Sequence, residues 1–231
     1  TAMPFLAWQL RERVGFNLET DVVDVPLASN KVMNAPWVFM TGHKDFRLTE
    51  AEVANLRLYL LAGGTLWAED CTHEDDPTWD RAFRREIARV LPPAEGYKLR
   101  KIAKDDEHPL FRACFDLSDG YKGYWPPPGD KYRQSYIEGI ELAGRLAVIY
   151  TRNDYGCGLE IKPDTHPGKV SLSSLSPAEM QEASFLMASN IIVYALTGGR
   201  GLADRGLAGR AAASLRRQRE AAQAQGDPYE K

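Results

Sequence analysis

The chain has 231 residues, of which 44% are hydrophobic and 26% charged, a composition typical of one globular domain large enough to bury a core. Its formal net charge of −3 argues against a nucleic-acid-binding protein, because neutralising phosphates requires a basic surface. No segment of the sequence approaches the roughly 20 consecutive apolar residues that a membrane-spanning helix needs.

The first 40 residues predict one helix and two strands. Apolar residues at helical spacing indicate a helix over residues 3–14, residues 22–25 are a candidate for a short strand, and residues 36–40 (PWVFM) form a buried strand. A doubly wound domain normally opens with a strand, and none precedes this helix. Either the sheet is rearranged or the chain begins inside a larger domain whose first strand lies upstream, and we favour the second alternative.

A strand–helix–strand unit follows directly. Thr49 and Glu52 form a capping box, in which the hydroxyl and the carboxylate satisfy the first backbone N–H groups of a helix. Gly63 and Gly64 end that helix, because glycine adopts the left-handed cap conformation at low cost. Residues 65–69 (TLWAE) then form a second buried strand. A unit of this length predicts a parallel crossover.

Helices and strands continue to alternate in the second half of the chain. Asp76 as N-cap and Pro77 at the first helical position begin a third helix. The remaining predicted elements are strands at 97–102, 137–142 and 146–151, a helical turn after Pro109, and a long helix that begins at Pro177 and stops at Gly198. The short connection between the last two strands predicts a hairpin.

Two segments lack hydrophobic periodicity. Residues 118–135 are dense in glycine, proline and aromatic side chains, which predicts a long ordered loop or lid. Residues 200–231 are rich in alanine, arginine and glutamine and contain too few large apolar residues to join a core. The sequence thus predicts an α/β domain over residues 1–199 and a helical or partly disordered tail over residues 200–231.

Polar side chains follow three of the predicted buried strands. In an open parallel α/β sheet, ligands bind in the crevice beyond the carboxyl ends of the strands. The candidate functional residues at these three strand ends are His43, Asp45, Asp70, Cys71, His73 and Asp154. We therefore expect them to surround one crevice, roofed by residues 118–135.

Catalysis and metal binding both fit these residues. A catalytic site would use Cys71 as nucleophile, with His43 and Asp70 as acid and base. A metal site would use His43, Asp70 and His73, because imidazole and carboxylate ligands suit zinc, manganese or iron. The alternative for His43 is a hydrogen bond that only stabilises its own loop.

A third interpretation is a ligand-binding crevice without catalysis. An imidazole and several carboxylates at adjacent strand ends can hydrogen-bond a polar ligand, and an aromatic ring of the loop can stack on it. The residues assigned to this role are His43, Asp45, Asp70, Asp154 and Trp125.

The catalytic interpretation of Cys71 meets two objections. A nucleophile elbow needs small residues beside the nucleophile, whereas the neighbours here are Asp70 and Thr72. The acidic neighbours Glu69 and Asp70 also raise the pKa of the thiol and lower the thiolate fraction. A structural thiol is the alternative.

The motifs for nucleotide cofactors and the spacing of the cysteines bear on which cofactor and which disulfide the chain can have. A GxGxxG fingerprint, a Walker P-loop and a GxSxG elbow are all absent, so we expect no nucleotide cofactor, and a divalent metal is the cofactor that the strand-end residues allow. The three cysteines, Cys71, Cys114 and Cys157, show no CxxC spacing. One disulfide with one free thiol and three free thiols both fit this odd count.

Several segments resemble a known bacterial family. They are PWVFMTGHKDFRLTEAE, LRLYLLAGGTLWAEDC, WDRAFRREIARVLP, HPLF, GRLAVIYTRNDYGCGLE and NIIVYALTGG. In their order and spacing over residues 1–199, the chain resembles the family called domain of unknown function 4159. The resemblance implies an exported or membrane-associated bacterial protein with a flavodoxin-like, class I glutamine amidotransferase-like fold, and it implies no particular reaction. Glutaminase activity would need a His-x-Glu pair after Cys71, and no such pair occurs in the sequence.

The sequence therefore predicts a three-layer α/β sandwich with a mostly parallel sheet and a crevice at the carboxyl ends of its strands. The favoured function is a ligand-binding or assembly module for an unidentified small molecule or protein. The alternative is a hydrolase that acts through a metal site or through Cys71 in the same crevice. A third interpretation is a structural subunit that forms homo-oligomers through residues 200–231.

Overall fold

The computed structural model describes residues 2–16, 18, 22–72, 76–103, 107–117, 134, 136–160 and 177–199. Within these ranges the helices are α1 (Ala2–Val14), α2 (Glu50–Leu61), α3 (Thr78–Val90), α4 (Tyr155–Glu160) and α5 (Pro177–Leu196). The strands are β1 (Val38–Gly42), β2 (Leu66–Asp70), β3 (Arg100–Ala103), β4 (Tyr136–Leu142) and β5 (Arg145–Thr151). The predicted loop 118–135, apart from Gln134, and the predicted tail 200–231 lie outside the described residues.

Local sequence signals set the ends of several elements. The capping box predicted for α2 is present, since the Glu52 N–H donates to Thr49 Oγ1 over 3.3 Å and the Thr49 N–H donates to Glu52 Oε2 over 2.8 Å. Gly63 follows the helix with a φ of +111°, which glycine adopts readily. One prediction is wrong: residues 22–25, all of them described, form no strand. Val23 is 75% exposed, and the five strands of the described sheet pair without this segment.

The five strands form one mixed sheet in the order β1-β2-β5-β4-β3. β2 pairs in parallel with β1 and β5, whereas β4 pairs antiparallel with β5 and β3. The expectation of a mostly parallel sheet is therefore wrong. The reason is the connection between β4 and β5, in which Ala143 and Gly144 adopt φ values of 50° and 77°. A two-residue turn with positive φ at both positions closes a hairpin, and a hairpin is antiparallel.

Helices cover both faces of the sheet, and the alternation of each strand decides which side chains meet them. Trp67 and Ile149 join the core formed with α1, α4 and α5. Leu66 and Val148 join the core formed with α2 and α3. The described helices include none with the length and apolar character required to cross a membrane. The fold is thus an α/β arrangement with a separate apolar core on each face of the sheet.

The parallel pairings bring three strand ends together. Gly42 at the end of β1 is the register partner of Asp70, and Thr151 at the end of β5 is the partner of Glu69. Successive strand residues point to opposite faces, so Glu69 and Asp70 lie on different sides of the sheet. We call these the α4 side, with Glu69, and the α3 side, with Asp70.

Candidate functional site

A cluster of two thiols and one carboxylate lies beyond the end of β2 on the α4 side. The Sγ atoms of Cys71 and Cys157 and a carboxylate oxygen of Asp154 all lie within 4.8 Å of one another. Cys71 directly follows β2, Asp154 lies in the turn after β5, and Cys157 is in the first turn of α4. We call these three residues the strand-end cluster. Both of its cysteines are reduced thiols in the structure.

Burial within the strand-end cluster is uneven. Cys71 is 5% exposed and Asp154 is 4% exposed, whereas Cys157 faces solvent. Thr41, near the end of β1, places its Oγ1 atom 2.7 Å from Cys71 Sγ, within hydrogen-bond distance. The cluster therefore offers two buried donor groups and one donor that solvent can reach.

Glu69 holds the start of α4 in place. Its side chain is fully buried and accepts hydrogen bonds from Thr151 Oγ1 at 2.9 Å, from the Tyr155 N–H at 2.9 Å and from the Gly156 N–H at 2.7 Å. Trp67 Nε1 donates to Thr151 Oγ1 over 2.9 Å, which directs the hydroxyl proton toward the carboxylate. The two N–H groups belong to the first turn of α4, where a helix leaves its donors without internal partners. Glu69 thus caps α4 from a neighbouring strand.

The turn into α4 depends on an uncommon backbone conformation and on close packing. Asp154 has a φ of +57°, in the left-handed region that aspartate tolerates better than most residues. A Cβ added to Gly156 would lie 3.1 Å from a Glu69 oxygen, and one added to Gly158 would lie 2.0 Å from Ser184 Oγ. The two glycines on either side of Cys157 are therefore closely packed, whereas the Cys157 side chain reaches solvent.

Burial and neighbouring groups keep the Cys71 thiol protonated. The pKa of Cys71 is raised well above its ordinary value by the hydrogen bond with the Cys157 thiol, by burial and by the charge of Asp154, with a smaller effect from Glu69, while the hydrogen bond with Thr41 opposes the rise. Burial, together with Asp154, raises the pKa of Glu69 to about 8 despite its three hydrogen bonds. Cys71 is therefore a neutral thiol at neutral pH and a poor thiolate nucleophile. Glu69 is mostly protonated there as well, so the negative charge beside the two thiols comes from Asp154.

A separate ionic network occupies the α3 side. Asp70 is 2% exposed, accepts a hydrogen bond from the Thr72 N–H at 3.0 Å and pairs with Arg152 at 3.3 Å. Asp80 of α3 accepts a hydrogen bond from the Tyr150 hydroxyl at 2.7 Å and lies 3.9 Å from Arg152. The Arg152 guanidinium therefore balances Asp70, and the network links β2, β5 and α3.

The profile of one protein family matches most of the chain. The family is described as a domain of unknown function (DUF4159), and the match covers residues 1–196. The chain belongs to the DUF4159 family. This match confirms the resemblance inferred from the sequence over nearly the same residues. A comparison with curated proteins gives no match, so membership of DUF4159 identifies the domain without assigning a reaction.

The DUF4159 domain brings together only part of the predicted site. Cys71 and Asp154 meet in the strand-end cluster, but Asp70 points to the α3 side, where it is engaged in the ionic network. Asp45 is exposed and pairs with an arginine of α3 at 3.0 Å. His43 is exposed in the loop after β1, and across the described residues it belongs to no group of three possible metal ligands. Two more predicted residues, His73 and Trp125, lie outside the described residues.

Two residues of the DUF4159 site were missed by the sequence analysis. Glu69 is an acid in an otherwise apolar strand segment (TLWAE), and a charged side chain at a fully buried position is rare unless it has partners. Cys157 follows Asp154 by three residues, and their side chains meet because α4 begins directly after Asp154. The segment has just six helical residues, too few to give a periodic hydrophobic pattern.

Proposed function

We propose that this domain binds a thiol-preferring divalent metal ion, with Zn²⁺ as the expected ion, through Cys71, Asp154 and Cys157. The observation that carries the proposal is the approach of their three donor atoms to within 4.8 Å of one another. A tetrahedral zinc ion with Zn–S distances of about 2.3 Å holds two sulfur ligands roughly 3.8 Å apart. The donors are therefore near the spacing that the ion requires, and rotation of the exposed Cys157 side chain supplies the remaining movement.

The donor types favour zinc over harder cations. Thiolates are soft ligands, whereas calcium and magnesium take oxygen ligands. This donor set differs from the imidazole and carboxylate set expected from the sequence, which used His43, Asp70 and His73. Three protein ligands leave the fourth position of a tetrahedral site open, and water or another ligand can then reach the ion. Of the residues predicted to bind a ligand, the proposal keeps Asp154 and places it beside a metal ion.

The charges around the cluster support a bound cation. Metal binding replaces the protons of both thiols, and a divalent ion offsets the negative charge of Asp154. Glu69 accepts hydrogen bonds from the first turn of α4, which carries Cys157. Residues that hold metal ligands in position in this way are common around metal sites. Arg152 is engaged with Asp70 and Asp80 on the opposite side of the sheet, so its charge is directed away from the cluster.

The test is a zinc titration of the full chain. Bound metal is first removed with a chelator under reducing conditions, and a chromophoric chelator then competes with the protein for the added zinc. We expect the wild type to bind about one ion. Loss of an orienting group alone weakens metal binding by about 10–100-fold, so loss of the ligand itself in Cys157→Ser should weaken it by at least that factor.

The matched control is Cys114→Ser, because Cys114 lies outside the strand-end cluster. This variant should bind zinc as the wild type does, and circular dichroism should confirm that both variants are folded. A wild type without affinity for zinc, or a folded Cys157→Ser variant with wild-type affinity, would contradict the proposal.

We also propose that the sheet is a variant of the flavodoxin-like, amidotransferase-like arrangement. The parallel crossover β1-α2-β2 and the helices on both faces support this assignment, and the antiparallel edge formed by β4 and β3 is the departure from it. Hydrolase activity, export in a bacterium and self-association through residues 200–231 stay predictions.

A further inference from the structure

We propose that Cys71 and Cys157 are also a redox modification site, at which they form a reversible disulfide within one chain. The two thiols come from segments far apart in the sequence, yet their sulfur atoms lie within 4.8 Å of each other. The disulfide itself does not depend on the proposed metal site. Its competition with a bound metal, argued below, rests on that proposed function.

The two sulfur atoms, which lie within 4.8 Å of each other, must approach to about 2.05 Å for the bond to form. A disulfide requires an S–S distance of about 2.05 Å and a Cβ–Cβ distance of about 3.5–4.5 Å. Cys157 is exposed, so its side chain can turn about χ1 toward Cys71 through ordinary staggered positions. The flanking backbone stays in place, because Glu69 holds Gly156 and Gly158 packs closely on α5.

The difference in exposure sets the order of the steps. A hydroperoxide is the oxidant class we assign, and it reaches the exposed Cys157 first. The Cys157 thiolate, formed by loss of its proton to solvent, attacks the peroxide O–O bond, which gives a sulfenic acid on Cys157 and, from hydrogen peroxide, a hydroxide ion that takes up that proton and leaves as water. The Cys71 sulfur then attacks the sulfenic sulfur, so that the S–S bond forms, the S–O bond breaks, and the oxygen leaves as water with the Cys71 proton.

The overall change is balanced and reversible. Two thiols lose two electrons and two protons to one molecule of hydrogen peroxide, and two water molecules form. A dithiol reductant returns both thiols by exchange. Because the disulfide uses both sulfur ligands, oxidation leaves Asp154 as the remaining member of the strand-end cluster, and the metal is released.

The first test is oxidation of the reduced, chelator-stripped full chain with hydrogen peroxide, followed by peptide mapping by mass spectrometry. We expect a cross-linked peptide pair containing Cys71 and Cys157 in the wild type and in Cys114→Ser, and its return to two thiols after dithiothreitol. Cys157→Ser should show no cross-link to Cys71. Disulfides between chains, a cross-link through Cys114, or overoxidised Cys157 beside a reduced Cys71 would overturn the proposal.

A second set of measurements separates this proposal from the proposed metal site. Asp154→Asn should bind zinc poorly and still form the disulfide, because it keeps both thiols. Zinc at ten times its dissociation constant should slow cross-linking of the wild type by about tenfold, with zinc released as the bond forms. Cross-linking at an unchanged rate in zinc refutes the competition and the metal site but leaves the disulfide standing. Zinc binding without any cross-link overturns the disulfide and leaves the metal site standing.

Discussion

Replacing Glu69 with alanine tests whether this carboxylate holds the start of α4. The side chain accepts hydrogen bonds from Thr151 Oγ1 and from the N–H groups of Tyr155 and Gly156. Truncation leaves both N–H groups inside the protein without that acceptor. The Thr151 hydroxyl keeps the Ala68 carbonyl as a partner at 3.5 Å, so the two backbone donors carry most of the cost.

The expected loss follows from these contacts. A buried donor left without an acceptor costs about 1–3 kcal/mol, so two of them cost about 2–6 kcal/mol. The variant also removes a carboxyl group whose burial is unfavourable, as its pKa of about 8 indicates. We therefore expect the free energy of unfolding to fall by about 2–4 kcal/mol. Glu69→Gln keeps the shape and one acceptor oxygen, and it should lose less than Glu69→Ala.

Guanidinium denaturation at pH 6 in the presence of a chelator, followed by circular dichroism, measures this loss. The matched control is Glu12→Ala, because the Glu12 side chain is 55% exposed and its loss should change the free energy of unfolding by less than about 0.5 kcal/mol. If Glu69→Ala costs no more than Glu12→Ala, the start of α4 does not depend on Glu69 and the reasoning is refuted.

Three further predictions concern other properties of the same fold. The pKa of Glu69 is raised from 4.5 to about 8, so the protonated carboxyl group stabilises the folded state below pH 4.5, and this stabilisation is lost as the pH rises through 8. Over that range the wild type should lose up to roughly 4–5 kcal/mol of stability relative to Glu69→Gln. Parallel pH profiles of the two proteins would contradict this expectation. Gly158→Ala places a Cβ 2.0 Å from Ser184 Oγ and should lower the free energy of unfolding, measured in denaturant, by about 1–3 kcal/mol. The loss should be smaller in a Ser184→Gly background, and an equal loss in both backgrounds would show that this contact is not its cause. Asn190→Ala removes the buried oxygen that accepts hydrogen bonds from the Phe115 N–H at 2.7 Å and from a neighbouring N–H, and it should lower the free energy of unfolding by about 2–4 kcal/mol in the same assay. The control is Asn34→Ala, because Asn34 is exposed, and an equal loss in both variants would refute the prediction.

Most helices and strands could be predicted because the signals that set them are local. The capping box at Thr49 and Glu52, for example, depends on residues three positions apart, and both of its hydrogen bonds are present. The strand predicted at residues 36–40 is present as β1 but begins at Val38. Residues 22–25 carry strand-forming side chains, yet none of the described strands pairs with them, and β propensity without a partner gives no strand.

The pairing of the strands was harder to predict, because it depends on contacts distant in the sequence. The hairpin between β4 and β5 was predicted, but its consequence for the whole sheet was not. With β5 beside β2, the hairpin places β4 antiparallel to β5, and β3 pairs antiparallel with the far edge of β4. Short polar connections do not reveal which edge a strand occupies, so the mixed sheet came from the structure.

An α/β domain of the DUF4159 family with polar residues at the ends of its strands could be predicted from the amino-acid sequence, because hydrophobic periodicity and helix caps act over a few residues. Which of those polar residues meet depends on the packing of the folded chain. Strand alternation sends Asp70 to the α3 side, where Arg152 neutralises it, and keeps Cys71 on the α4 side. The short helix α4 then turns Asp154 and Cys157 toward Cys71. The contact between these three segments depends on the order of the strands in the sheet and on the direction of the backbone. A local sequence pattern contains neither.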